Sequence, residues 1–270
     1  MRSIKNFVIL AIILLTSVNT SAQNKHFEGE IIYSTSFTLD KTARKLMKGA
    51  EGEYKIKTVF KNGNEKSQEN YFGCITYIFR DKDMCYGYNP LTKKGYQCSY
   101  SASVKDYQNV RKVENSSVKA TGETKEAFGI IFEKFQGADV TKVDLLGAKI
   151  TGTDNIEYWV CRDYDENWIM SIKIPGLYES FDLRSVMKMP LVGSFEQHLE
   201  LNIEELNQRE VKDEELDLPE DITFEKVATM SQMEQKMKKD YSKYAKAQGK
   251  QKGEEVKQEG AAKVKGDWDF

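Results

Sequence analysis

The 270-residue chain holds only two histidines, His26 and His198, and neither has an HxxxH or HExxH partner. A histidine-based metal site or nucleophilic triad therefore lacks material. There is no GxSxG, no Walker loop and no GxGxxG after a strand-like run. Carboxylates are plentiful, but no spacing marks one pair as a glycosidase-like acid and base. The chain thus reads as non-enzymatic, with no metal and no cofactor. A basic surplus is missing too: 40 Lys and Arg face 42 Asp and Glu, which argues against a nucleic-acid partner. The four cysteines, Cys74, Cys85, Cys98 and Cys161, contain no CxxC spacing, so zinc or thioredoxin chemistry is not expected. The apolar run Phe7 to Leu15 is too short to remain as a membrane anchor.

That short run has a different use. Arg2 and Lys5 precede it, and Ser21-Ala22 follow it before Gln23. A positive start, a short apolar centre and a small-residue end are the parts of a secretory signal peptide. Residues 1–22 are therefore read as that signal, cleaved near Ala22, and the protein is expected in the periplasm or at the cell exterior. No cysteine stands at the end of the signal, so a lipidated N-terminus is not indicated. In an exported protein four cysteines are compatible with two disulfides.

Residues 23–228 read as one domain, mainly β with helices (α+β). Phe27, Gly29, Ile31, Tyr33, Phe37 and Leu39 alternate with Glu28, Glu30, Ser34, Ser36 and Thr38, an antiparallel strand with one wet face. Lys41 to Ala50 reads as a short helix. Tyr54 to Phe60 alternates again, and Asn62-Gly63 signals a type I′ hairpin. Strands are expected over 64–72, 73–81, 83–89 and 95–101. The last two form a hairpin whose apolar face would be Met84, Tyr86, Tyr88, Tyr96, Cys98 and Tyr100. Phe128, Ile131, Phe132 and Phe135 have the spacing of one helix face, which predicts a helix over Thr124 to Phe135. Strands are expected over 142–151, 155–164, 167–174 and 194–206, with a helical turn or two at Asp182 to Met189.

Aromatic residues dominate the strand faces: 14 Tyr and 13 Phe. Two arrangements satisfy them, a packed core or a cavity for an apolar ligand under loosely covering helices. Ile31, Tyr33, Phe37, Ile56, Phe60, Tyr77, Phe79, Tyr86 and Tyr88 are the candidate lining residues. Cys85 and Cys98 flank the second hairpin. A register in which they are opposite permits a bridge and leaves Cys74 with Cys161; a register one residue away aligns the apolar face instead. Met230, Met233, Met237, Tyr241 and Tyr244 form a helical stripe over 229–247. This helix would dock as a lid, project towards an anionic membrane surface or an envelope protein, or stay unfolded when free. Residues 248–270 are Lys-, Gln- and Glu-rich and read as disordered.

Five motifs in order carry a resemblance. They are Phe27-Glu28-Gly29-Glu30-Ile31-Ile32-Tyr33, the strand Arg80 to Tyr88 with Tyr96, the pair Leu146 to Ile150 and Glu157 to Val160, Lys188-Met189-Pro190-Leu191, and Val211 to Pro219. Together they resemble a secreted bacterial domain-of-unknown-function family that is similar to LolA-type carriers. Lys188, Lys212 and Leu216 depart from its pattern. The resemblance covers about residues 27–227 and implies a half-open antiparallel β-barrel, or curved sheet, wrapped around helices, with a cavity for an apolar molecule or lipid. It implies no catalytic residue.

Overall fold

The first strand, β1 (Gly29–Leu39), shows the alternation its sequence demands: Ile31, Tyr33, Thr35 and Leu39 are buried, while Glu30, Ser34 and Ser36 are half-buried. It belongs to a computed structural model that describes residues 25–46, 51–71, 74–81, 83–145, 148–166, 174–190 and 192–265. The expected signal segment, residues 1–22, and all but the last residue of the strand expected over 167–174 lie outside the described residues. From β1 the chain turns through α1 (Lys41–Leu46) and meanders outwards as β2 (Gly52–Lys61), β3 (Asn64–Tyr71), β4 (Cys74–Asp81), β5 (Met84–Asn89) and β6 (Lys94–Ser99). Helix α2 (Tyr100–Val110) then leads to β7 (Arg111–Ser116), β8 (Lys119–Ala127), β9 (Ile130–Leu145), β10 (Ala148–Cys161), β11 (Leu177–Met189) and β12 (Gly193–Gln208). A short strand, β13 (Phe224–Lys226), and the long helix α3 (Met230–Lys265) end the chain.

All the strands form one curved open sheet of 13, so the mainly β expectation holds. The order is β13-β6-β5-β4-β3-β2-β1-β12-β11-β10-β9-β7, with β8 also on β9. The centre is the antiparallel pair of β1 and β12, running from Gly29 opposite Gln208 to Leu39 opposite Gln197. Gly29 is required there, because a Cβ would lie 2.3 Å from the Asn207 carbonyl oxygen. The expected Asn62-Gly63 turn forms, both residues with positive φ (53° and 77°), as a type I′ hairpin needs.

Four expectations are corrected. Thr124 to Phe135 is not a helix but the end of β8, a two-residue turn at Phe128-Gly129 (φ 55° and 71°) and the start of β9. The helical spacing arose because buried positions change parity along β9: Ile130 and Phe132 are buried, then Phe135, Asp139 and Thr141. Asp182 to Met189 is strand, held by β10 on one side and β12 on the other. Residues 100–110 are helical, because Ser99 caps the turn by accepting from the Ala102 N–H at 3.1 Å. Residues 248–265, expected to be disordered, continue α3; Lys, Glu, Gln and Ala are good helix formers.

The segment after β12 closes over the face of β2 opposite the main core. Val211 and Leu216 bury against Val59, and Lys61 donates to the Val211 carbonyl at 2.6 Å. The turn is held by Arg209, which grips both oxygens of Glu215 at 2.8 and 2.6 Å, while the Lys212 N–H donates to the same carboxylate at 3.0 Å. The Arg209 hydrogen bonds first, and then the Lys212 N–H, hold the Glu215 carboxyl down at about 2. A depressed folded-state value stabilises above the ordinary carboxylate range and is lost as pH falls towards the folded value. Glu215→Gln is therefore expected to lower the melting temperature at pH 7, with the gap to wild type narrowing from pH 4.5 down to pH 2. An NMR titration placing Glu215 at an ordinary midpoint contradicts this.

Candidate functional site

The inner face of the sheet gathers one large apolar cluster from six strands. Ile31 and Tyr33 of β1, and Ile56 and Phe60 of β2, meet Phe132 and Phe135 of β9, Tyr158 of β10, Tyr178 and Phe181 of β11, and Leu201 and Ile203 of β12. The rings make specific contacts. Phe135 stacks on Tyr158 with centroids 5.1 Å apart, the cross-strand pair that the register places opposite one another. Phe27 packs edge-on against Phe60 at 5.9 Å and Tyr164 at 5.6 Å. The Tyr178 hydroxyl donates to the Ile174 carbonyl. Burial pushes the Tyr178 and Tyr158 phenols above their ordinary range, so both remain neutral hydrogen-bonding groups.

The candidate lining residues separate. Ile31, Tyr33, Ile56 and Phe60 share this cluster. Phe37 belongs to a second one with Leu39, Ala43 and Phe195. Tyr86 packs with Val59 and Val211 on the other face, and Tyr86 and Tyr88 both meet the edge of Phe224, at 5.5 and 6.1 Å. Tyr77 and Phe79 lie on β4, but their side chains are outside the described residues.

Beyond the aromatic cluster the same inner face turns polar. Asp139 of β9 is opposite Asp154 of β10, and Asp154 is opposite Ser185 of β11. All three are buried, at 8, 1 and 2% exposure. Asp154 Oδ2 accepts from the Arg111 guanidinium and, at 3.2 Å, from the Thr141 hydroxyl. Arg111 also donates to the Tyr107 hydroxyl at 3.3 Å. Nothing in the sequence distinguished these two aspartates from the many exposed ones. Their even spacing with inner-face neighbours is visible only once the register of β9 and β10 is known.

The β5–β6 hairpin is buried on both sides. Its register sets Cys85 opposite Cys98, so the alternative with a single apolar face is overturned. Tyr86 and Tyr88 point one way, towards Phe224 and the closing segment; Tyr96 and Cys98 point the other way, under α3. Two covers demand two apolar faces, which single-face alternation could not express. Met233 and Met237 of α3 bury against Cys85, Tyr96 and Cys98, and Met233 Sδ rests over Gly87. Asp240 accepts from the Tyr96 hydroxyl and from Lys94 at 3.1 Å, and the Met230 N–H donates to Ser103 Oγ at 2.9 Å. Cys85, Cys98 and Cys161 are buried thiols, and the Cys74 side chain lies outside the described residues. The hydrogen bond between the opposed thiols lowers the Cys98 pKa and raises that of Cys85, so Cys98 ionises first.

The outer face is polar. There Asp182, His198 and Glu200 converge from β11 and β12, with His198 Nε2 3.1 Å from Asp182 and 3.4 Å from Glu200. This trio has the donors for a metal, yet its members are partly exposed and Asp182 is also paired with Arg184 at 3.3 Å. Mutual ion pairing accounts for it. A groove of about 770 Å³ beside it is lined by Lys119, Gln136, Asn155 and Arg184 among others. The acid-rich stretch 204–226 pairs with Lys61 of β2 through Asp213, with Lys93 of the β5–β6 turn through Asp221, and with Lys236 of α3 through Glu225.

The chain matches no protein-family model and no curated protein.

The packing of α3 sets a test. Met233→Ala should destabilise the protein by about 2–5 kcal/mol in urea unfolding, the range for emptying a fully buried Met site. Amides 233–240 should be protected from hydrogen exchange. Fast exchange there, with an unchanged melting temperature after truncation at Ala228, would show the helix undocked.

Proposed function

We propose that the protein is an exported, non-catalytic binding protein of LolA-like half-open barrel shape that holds a lipid or other apolar molecule on its inner face. The observation that carries this reading is the gathering of apolar side chains from six strands, five of them contributing aromatic rings, on one face of a single open sheet. In a two-sheet sandwich that face would be filled by a second sheet; among the described residues, Ala127, Ile130 and Phe132 of the β8–β9 hairpin pack into it. The N-terminal signal pattern and the five family-like motifs support the same reading. A lipid needs no catalytic group, only apolar surface and a few polar contacts at one end. Protein purified from the cell envelope should carry lipid in native mass spectrometry and should bind a fluorescent fatty acid that the released lipid displaces. Lack of co-purified lipid together with lack of fatty-acid binding removes the carrier reading.

A second reading, an envelope interaction protein, is favoured by the length of α3. Met230, Met233, Met237 and Asp240, which anchor it among the described residues, lie in the first three turns of 36 helical residues. At ~1.5 Å per residue the helix is about 54 Å long. Removing residues 248–265 should abolish partner or anionic-liposome binding in that reading and leave lipid content unchanged.

Export also bears on the hairpin thiols. Cys85 and Cys98 are directly opposite, and an oxidising compartment would take two electrons and two protons from them to form a cross-strand disulfide. Non-reducing peptide mapping of the exported protein should find 85 joined to 98; free thiols at both positions refute the bridge.

A further inference from the structure

We propose that the buried row Asp139–Asp154–Ser185 is a binding site for a hard divalent cation of the calcium class, independent of any lipid. Two aspartates stand directly opposite each other on adjacent strands, where like charges repel. Both are more than nine-tenths buried, yet Arg111 is the one cation paired to the row among the described residues, and it is spent on Asp154 Oδ2. Asp139 has no ion-pair partner among the described residues. With both carboxylates ionised the row keeps a net negative charge in a place where water is scarce, and a buried uncompensated charge is costly.

Hydrogen bonding points the same way. Asp139 Oδ1 and Asp154 Oδ1 are buried and have no hydrogen-bond partner among the described residues. The third unpartnered atom is Ser185 Oγ, 2% exposed, on the other side of Asp154 in the same cross-strand row. Three oxygens on one face of three neighbouring strands, each lacking a partner, form a set of hard ligands. Asp139 Oδ1 and Asp154 Oδ1 would bridge the ion, with Ser185 Oγ reaching it directly or through a bound water. Oxygen ligands without nitrogen or sulfur suit calcium or magnesium rather than zinc or copper. Thr141 and Arg111 hold Asp154 Oδ2 and leave Oδ1 without a partner among the described residues. The bound ion would tie β9, β10 and β11 together beside the aromatic cluster, so that binding stabilises the folded sheet.

The test uses the whole chain and terbium as a luminescent stand-in for calcium. The Tyr107 hydroxyl and Asp154 Oδ2 are both bonded to Arg111, so Tyr107 is placed to sensitise terbium emission. Wild type should show tyrosine-sensitised emission that calcium displaces, and its melting temperature should rise when calcium replaces a chelator. Asp139→Asn should weaken terbium binding by about tenfold or more and abolish the calcium-dependent melting shift. Ser185→Ala, a smaller change, covers the case in which Asp139→Asn fails to fold, and should weaken binding in the same direction. Asp182→Asn, on the outer face, should leave the signal intact. A melting temperature indifferent to calcium and chelator overturns the proposal. Emission that survives Asp139→Asn but vanishes in Asp182→Asn overturns it in favour of the outer face.

Discussion

The pairing of β1 with β12 is the contact on which the arrangement rests. The first strand of the sheet meets its last long strand in the middle, and every other strand is added outwards from that pair. Closing a loop of more than 150 residues has a large entropic cost, but one that grows only slowly with length. What offsets it is specific to the site. Gly29 lets the backbones approach at one end, and Ile31, Tyr33, Leu201 and Ile203 bury together behind the ladder. Without this pair the two meanders, β2–β6 and β9–β11, would have no common inner face.

That inner face has two characters, and the boundary between them follows the strands. Along β10, Val160, Tyr158 and Ile156 are apolar, Asp154 is charged, and Gly152 has no side chain. β9 changes in step, from Phe135 to Asp139 and Thr141. Because opposite residues share a face, a polar change at matched positions on two strands makes one polar patch rather than two isolated defects. Such a patch inside an otherwise apolar sheet lowers stability unless its charges are compensated. Arg111 supplies part of that compensation from the edge strand β7.

Much of the architecture was legible locally. Period-two alternation found β1 and β2, and the Asn62-Gly63 pair found its turn, because these signals lie within a few residues. The failures share a cause. Phe128 to Phe135 looked helical because β9 switches its buried parity, and that switch falls where its register with the neighbouring strand β8 shifts between Ala120 and Thr124. The β5–β6 hairpin looked one-sided because its two covers, α3 and the closing segment, come from over 100 residues further on. Four of the nine candidate lining residues, Ile31, Tyr33, Ile56 and Phe60, do meet; Phe37, Tyr86 and Tyr88 were chosen by alternation, which says that a residue faces inwards but not inwards towards what.

By itself the sequence determined that the chain is mainly β, where most strands run and which side of β1 is wet, because backbone geometry converts spacing into facing within a single strand. Only the tertiary structure decided the register that sets Cys85 opposite Cys98, the docking of Met233 on the hairpin and the alignment of Asp139, Asp154 and Ser185. Those depend on which strands become neighbours, and a one-residue slip between them would turn every side chain to the other face.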